Sequence, residues 1–190
     1  MLSSIFQKLS PAAEKKLLVL AIATFLLAAS CMIHFDTLLK NEVAPLGIIS
    51  FELAKTLDGS TEILNTWKYT EGALLSAEWS LWFDYVFIIT YTLLLCLIIH
   101  RVRRTIWKDP ETLGYRLGIV VIRTIVYAAI LDMVENFALL QLFYGDLQSH
   151  WSTLAFVAAA IKFVNITLGI LYVVISLLIA GIKKITHVKK

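Results

Sequence analysis

The chain has 190 residues, of which 59% are hydrophobic and 16% charged, and its formal net charge is +3. A soluble domain of this size carries about 45–50% apolar and about 25% charged residues, so the composition points away from the soluble classes and toward a membrane protein. The two cysteines, Cys31 and Cys96, fall inside apolar runs and have no Cys or His neighbour at metal-ligand spacing, so neither a disulfide framework nor a thiolate metal site is expected.

Four stretches are long enough to cross ~30 Å of hydrocarbon at 1.5 Å per residue. The first runs over about residues 13–33, with Ser10 as N-cap, Pro11 at the first helical position and Glu14 in the first turn. Lys8, Lys15 and Lys16 before it, and Ala28-Ala29-Ser30-Cys31 within it, resemble a cleavable leader. The apolar run nevertheless continues through Met32 and Ile33, so a retained helix is expected. Next comes a segment of mixed character, whose part from about 45 to 70 is expected to form an extracytoplasmic helical cap. Within it, residues 45–57 place Leu46, Ile49, Leu53 and Leu57 along one helical face. Asp58-Gly59-Ser60 is expected to break that helix, and Ser60 to cap a second short one over 61–69. Both either lie on the membrane surface or fold back over the bundle.

The second span covers about 73–99, the third about 115–144 and the fourth about 151–182. Lys8, Lys15 and Lys16 precede the first span, and Arg101, Arg103, Arg104 and Lys108 fall between the second and third. Arg116 starts the third, and Lys183, Lys184, Lys189 and Lys190 follow the fourth. The link from Gly145 to His150 has no Lys or Arg. This alternation predicts both termini in the cytoplasm. Trp79, Trp82, Trp107 and Trp151 sit near span ends, where aromatic anchors belong. His34, His100, His150 and His187 read as interfacial rather than catalytic. The expected fold is an all-α, single-domain integral membrane four-helix bundle, with short amphipathic helices between the first and second spans.

An ionisable group at bilayer depth costs roughly 2.5–3.5 kcal/mol on insertion scales and tends to face protein or water. The second span carries Asp84, the third Arg123, Asp132, Glu135 and Asn136, and the fourth Lys162 and Asn165. Arg123 lies close enough to the cytoplasmic end to snorkel back. Asp132 is ~25 Å along the third span from Tyr115, Asp84 ~10–15 Å and Lys162 ~15 Å below the outer surface, so the groups converge on the outer half. Asp132, Glu135 and Asn136 stand at i, i+3 and i+4 and share a face. One pocket lined by Asp84, Asp132, Glu135, Asn136, Lys162 and Asn165 is the simplest expectation.

Three function classes stay open. The pocket binds or transports a small cationic or amphiphilic, lipid-like ligand, or protons. Alternatively, its polar groups only hold helices together, with Asp132 or Glu135 on Lys162 and Asn136 on Asn165, in a structural or regulatory subunit. As a third class, paired carboxyls act as acid and base in an intramembrane enzyme on a lipid-like substrate. The chain has no G-x-S-x-G, H-E-x-x-H or P-loop. His-Arg-Val-Arg-Arg at 100–104 serves orientation or anionic headgroups, and nothing else points to nucleic acid. No metal or cofactor is expected, and membrane lipids are the expected partners. Gly114 and Gly118 form one weak G-x-x-x-G, which leaves an oligomer open.

The pieces LGIISFELAKT, ILNTW, FDYVFIITYTLLL and LDMVEN, all within about residues 45–140, together resemble a group of small bacterial four-span membrane proteins of unassigned function. These share an SFELA segment between the first two helices, an Asp at the start of the second and a D-x-x-E-N in the third. The resemblance supplies no reaction. It implies a bacterial inner membrane as host and joins Glu52, Asp84, Asp132, Glu135 and Asn136 in one signature. Glu52 then becomes a candidate lid, if the 45–57 segment folds back over the pocket. Lys162 has no match in the group.

Overall fold

In the computed structural model, residues 10–188 are described; Lys8, Lys189 and Lys190, used above for orientation, and the side chain of His187 lie outside the described residues. The described residues form helices and no strand. Helix α1 spans Pro11–Asp36, α2 Ile48–Glu52, α3 Leu57–Lys68, α4 Ala73–Val102, α5 Leu113–Phe143 and α6 Ser149–Val188, and a π-helical turn, Arg103–Trp107, extends α4. Four helices, α1, α4, α5 and α6, are long and apolar enough to cross a bilayer. The chain is thus a multi-pass membrane protein built as a four-helix bundle.

The helix starts follow local capping chemistry. Ser10 Oγ accepts from the Ala13 amide at 3.2 Å and opens α1, and Thr112 Oγ1 accepts from the Tyr115 amide at 3.4 Å and opens α5. Helix α3 starts earlier than the sequence suggested. Thr56 caps it through the Gly59 amide at 3.2 Å, so Asp58-Gly59-Ser60 lies in its first turn instead of breaking a helix. Ser60 is not a cap; buried, it donates to Ser152 Oγ at 3.0 Å and ties α3 to α6.

Helices α5 and α6 pack along their length, α4 packs on α5, and α1 leans on α4. The outward faces are apolar, with Val19, Leu20, Leu26 and Leu27 of α1 and Val164, Leu177 and Leu178 of α6 all exposed. Such a surface is stable against acyl chains, not water.

At one end of the bundle, α2 and α3 form a cap. Trp67 is fully buried, donates from Nε1 to the Leu39 carbonyl at 2.9 Å and meets Phe51 edge-on. Asp36, at the end of α1, accepts from the Ile48 amide at 2.8 Å and so fixes where α2 begins. The cap folds back over the bundle, but not on the expected face. The regular part of 45–57 is only five residues, and it buries Ile48, Phe51 and Glu52 while Leu46, Ile49 and Leu53 are exposed. Periodicity picks out an apolar stripe without saying whether it meets protein or lipid, and here three of its four residues are exposed while Leu57 packs on the core.

The opposite end is basic, and helix α4 runs on through the His-Arg-Val-Arg-Arg stretch. Glu14 of α1 pairs with Arg104 at 3.1 Å and Arg101 at 3.6 Å. Two residues assigned to the interface, His100 and Arg103, are instead fully buried. Trp107 also turns inward, donating to Ser176 Oγ at 3.0 Å, whereas Trp79 and Trp82 are exposed as anchors should be. Gly114 and Gly118 are occupied inside the bundle: a Cβ on either would strike Trp107, or Tyr172 and Arg103. Arg123 is exposed, as a snorkelling residue should be.

Candidate functional site

The polar residues of the spans meet beneath the cap. Helix α5 presents Asp132 and Glu135 one turn apart, and Lys162 reaches them from α6. The Lys162 ammonium lies 2.6 Å from Asp132 Oδ1 and 2.8 Å from Glu135 Oε2. Glu52 comes down from α2 to within 3.2 Å of the same nitrogen. Asp132 is held from its other side by Tyr91, whose hydroxyl donates to Oδ2 at 2.8 Å. Asn136 donates to Asp84 Oδ2 across the α4–α5 contact. All of these side chains are buried.

Six of the seven expected residues therefore come together, and Asn165 does not. Its amide turns back on its own helix and donates to the Ile161 carbonyl at 2.8 Å. The partner expected for Asn136 is replaced by Asp84. Tyr91 belongs to the cluster but was not singled out from sequence. Its signal was available: it stands seven residues after Asp84, two helical turns along the same face.

The charge count is unequal. Four carboxyl groups (Glu52, Asp84, Asp132 and Glu135) surround one ammonium. Three of them share Lys162, while Asp84 forms no ion pair among the described residues and has only the Asn136 amide. Buried charge is tolerated when paired and hydrogen-bonded and is costly otherwise. Among the described residues, no group of three or more His, Cys, Asp and Glu side chains is placed to hold a metal ion.

The cluster forms one wall of a cavity of about 520 Å³. Glu52, Asp84, Asp132 and Lys162 line it at the cap end, below Ile48 and Ile49 of the roof. Toward the basic end the lining is wholly apolar: Phe25 of α1, Leu94 and Leu95 of α4, and Ile166 and Ile170 of α6. Helix α4 is the back wall, flanked by α1 and α6, which pack mainly on α4 and on α5 respectively. The exposed rim residues Ile33, Ile49 and Ile170 are all apolar, as a rim turned to hydrocarbon requires, while Asp36 of α1, paired with Lys40 at 3.1 Å, also lines the cavity. A further hollow along α3, lined by Asp58, Glu62, Asn65 and Tyr69, is a surface trough of exposed side chains.

No family model, curated protein or solved structure matches the chain.

Proposed function

We propose that the protein binds an amphiphile taken sideways from the membrane. The polar head lies against Glu52, Asp84, Asp132 and Lys162, and the apolar part runs along the groove between α1 and α6. One observation carries this reading: a polar cluster with surplus carboxyls closes one end of an apolar cavity whose rim is apolar and open. The cavity volume lies in the range of small-molecule sites. Its polarity also runs the right way. Asp84 is eleven residues from the start of α4 and Leu95 twenty-two, so polar and apolar ends are ~16 Å apart along the helix axis.

Arg101, Arg104, Arg116 and Lys183 gather at the end opposite the cap. The positive-inside rule makes that end cytoplasmic and puts the cap and the cluster in the outer half. A bacterial inner membrane as host rests on the resemblance to the small four-span proteins.

A second reading is favoured by Lys162 itself, which joins α2, α5 and α6 and so has structural work whatever the groove holds. In that reading the polar groups only fasten helices. Native mass spectrometry of protein extracted in mild detergent separates the two. An amphiphile adduct on the wild type that is lost in Ile166→Trp, which fills the groove away from the ion cluster, supports binding. A wild type that carries no adduct even after incubation with a total lipid extract leaves the structural reading.

A further inference from the structure

The charge imbalance of the cluster goes further than the shape of the groove. We infer that the ligand is a long-chain amine whose ammonium seats on Asp84. This rests on the binding reading above and names its ligand class.

Three placements carry it. The Lys162 ammonium already has Asp132, Glu135 and Glu52 at 2.6, 2.8 and 3.2 Å. Lys162 spends two N–H donors on Asp132 Oδ1 and Glu135 Oε1, and the Glu52 carboxylate stands beside it as a third counter-charge, so an incoming acid or phosphate meets a cation already surrounded by three carboxyls. Asp84, by contrast, lines the cavity and holds only the Asn136 amide, with no cation against it among the described residues. Its neighbours in the lining, Glu52 and Asp132, are also carboxyls. Their field repels an anionic head and attracts a cationic one. A hydroxyl head satisfies hydrogen bonds there but leaves the charge uncompensated.

The chain end follows from the same wall. Phe87, Tyr91, Leu94 and Leu95 continue along α4 from Asp84 and face the cavity, with Phe25 on one side and Ile166 and Ile170 on the other. An alkyl chain attached to an ammonium at Asp84 runs down this strip toward the middle of the bilayer. The rim between α1 and α6 admits it without passage through water.

The test uses the full chain in mild detergent and three probes with one alkyl chain: hexadecylamine, hexadecanol and hexadecanoate. Binding is read by titration with native mass spectrometry. The amine is expected to bind at least tenfold more tightly than the alcohol or the acid. Asp84→Asn is expected to weaken the amine at least tenfold and to erase its preference over the alcohol. An amine no tighter than the alcohol, or an amine indifferent to Asp84→Asn, overturns the inference. If the alcohol and acid bind as well as the amine, the groove reading stands and the head-group assignment falls. If none of the three binds, the groove reading falls first and takes this one with it. Should Asp84→Asn give no folded protein, the order of the three probes on the wild type decides alone.

Discussion

Lys162 of α6 and Glu52 of α2 meet at 3.2 Å in the interior of the protein. The contact pins a five-residue helix to a bundle it otherwise holds through the Asp36–Ile48 amide hydrogen bond and a few apolar side chains. It also brings a third carboxyl onto an ammonium that α5 already holds with two.

Lys162→Met removes the cation from three buried carboxyls. Breaking a buried pair by deleting one partner costs about 3–5 kcal/mol, and the variant is expected to lose stability in that range by reversible unfolding in mixed micelles. Neutralising the partners in the same chain (Glu52→Gln, Asp132→Asn and Glu135→Gln) should restore most of the loss. A single Lys162→Met as stable as the wild type contradicts the ion cluster.

Gly47 has φ of 60° and ψ of −127°, a region open in practice to glycine. A Cβ there would collide with the Asp36 carboxylate that holds the Ile48 amide. Gly47→Ala should cost about 2–4 kcal/mol from backbone strain and the displaced hydrogen bond. Hydrogen exchange should rise across residues 46–54 and stay unchanged in α5. Unchanged exchange in the cap would show that its anchoring lies elsewhere.

Trp67→Phe keeps the ring contact with Phe51 but leaves the buried Leu39 carbonyl without its donor. A loss of about 1–3 kcal/mol is expected from an unsatisfied buried acceptor. Trp67→Leu should cost more, since the edge-on ring contact goes as well. Equal stabilities for the two variants would place the whole effect in the hydrogen bond.

Arg103 is fully buried, and among the described residues its guanidinium meets no carboxylate: it lies 4.4 Å above the Tyr115 ring and 3.3 Å from His100 Nδ1, with Nε and Nη1 unbonded there. The ring contact contributes about 0.5–2 kcal/mol, less than the several kcal/mol charged for burying an ion. Arg103→Met should therefore stabilise the protein, by about 1–4 kcal/mol, as buried ions replaced by apolar residues often do. A marked fall in thermal stability would refute this account of the basic end.

The four spans were legible because twenty apolar residues in a row have few other uses, and the shared face of Asp132, Glu135 and Asn136 followed from helical spacing alone. The partition within that face was not legible. Glu135 and Asn136 are adjacent in sequence and diverge by about 100° around the helix, as 3.6 residues per turn requires, so one turns to α6 and the other to α4. Asn165 shares the approximate face of Lys162, but a short amide reaches its own backbone before it reaches α5. The cap misled for a different reason. In water the apolar stripe of an amphipathic helix marks the buried side, but beside lipid the same stripe is content outside, and Phe51 and Glu52 go in. At the basic end, residue counting assigns a side of the membrane and says nothing of which arginine enters the bundle. Room for Arg103 comes from Gly118, on a different helix.

The position of Lys162 in the chain has a consequence for biogenesis. The four carboxyls of the cluster come from α2, α4 and α5, and their only direct cation among the described residues arrives with α6, which leaves the ribosome after all of them. Until then the carboxyls of the cluster stand in or beside the bilayer without the ammonium that pairs three of them. A chain ended at residue 148 should therefore insert α5 less completely than the full chain, as read by the fraction of α5 protected from protease in a membrane-insertion assay.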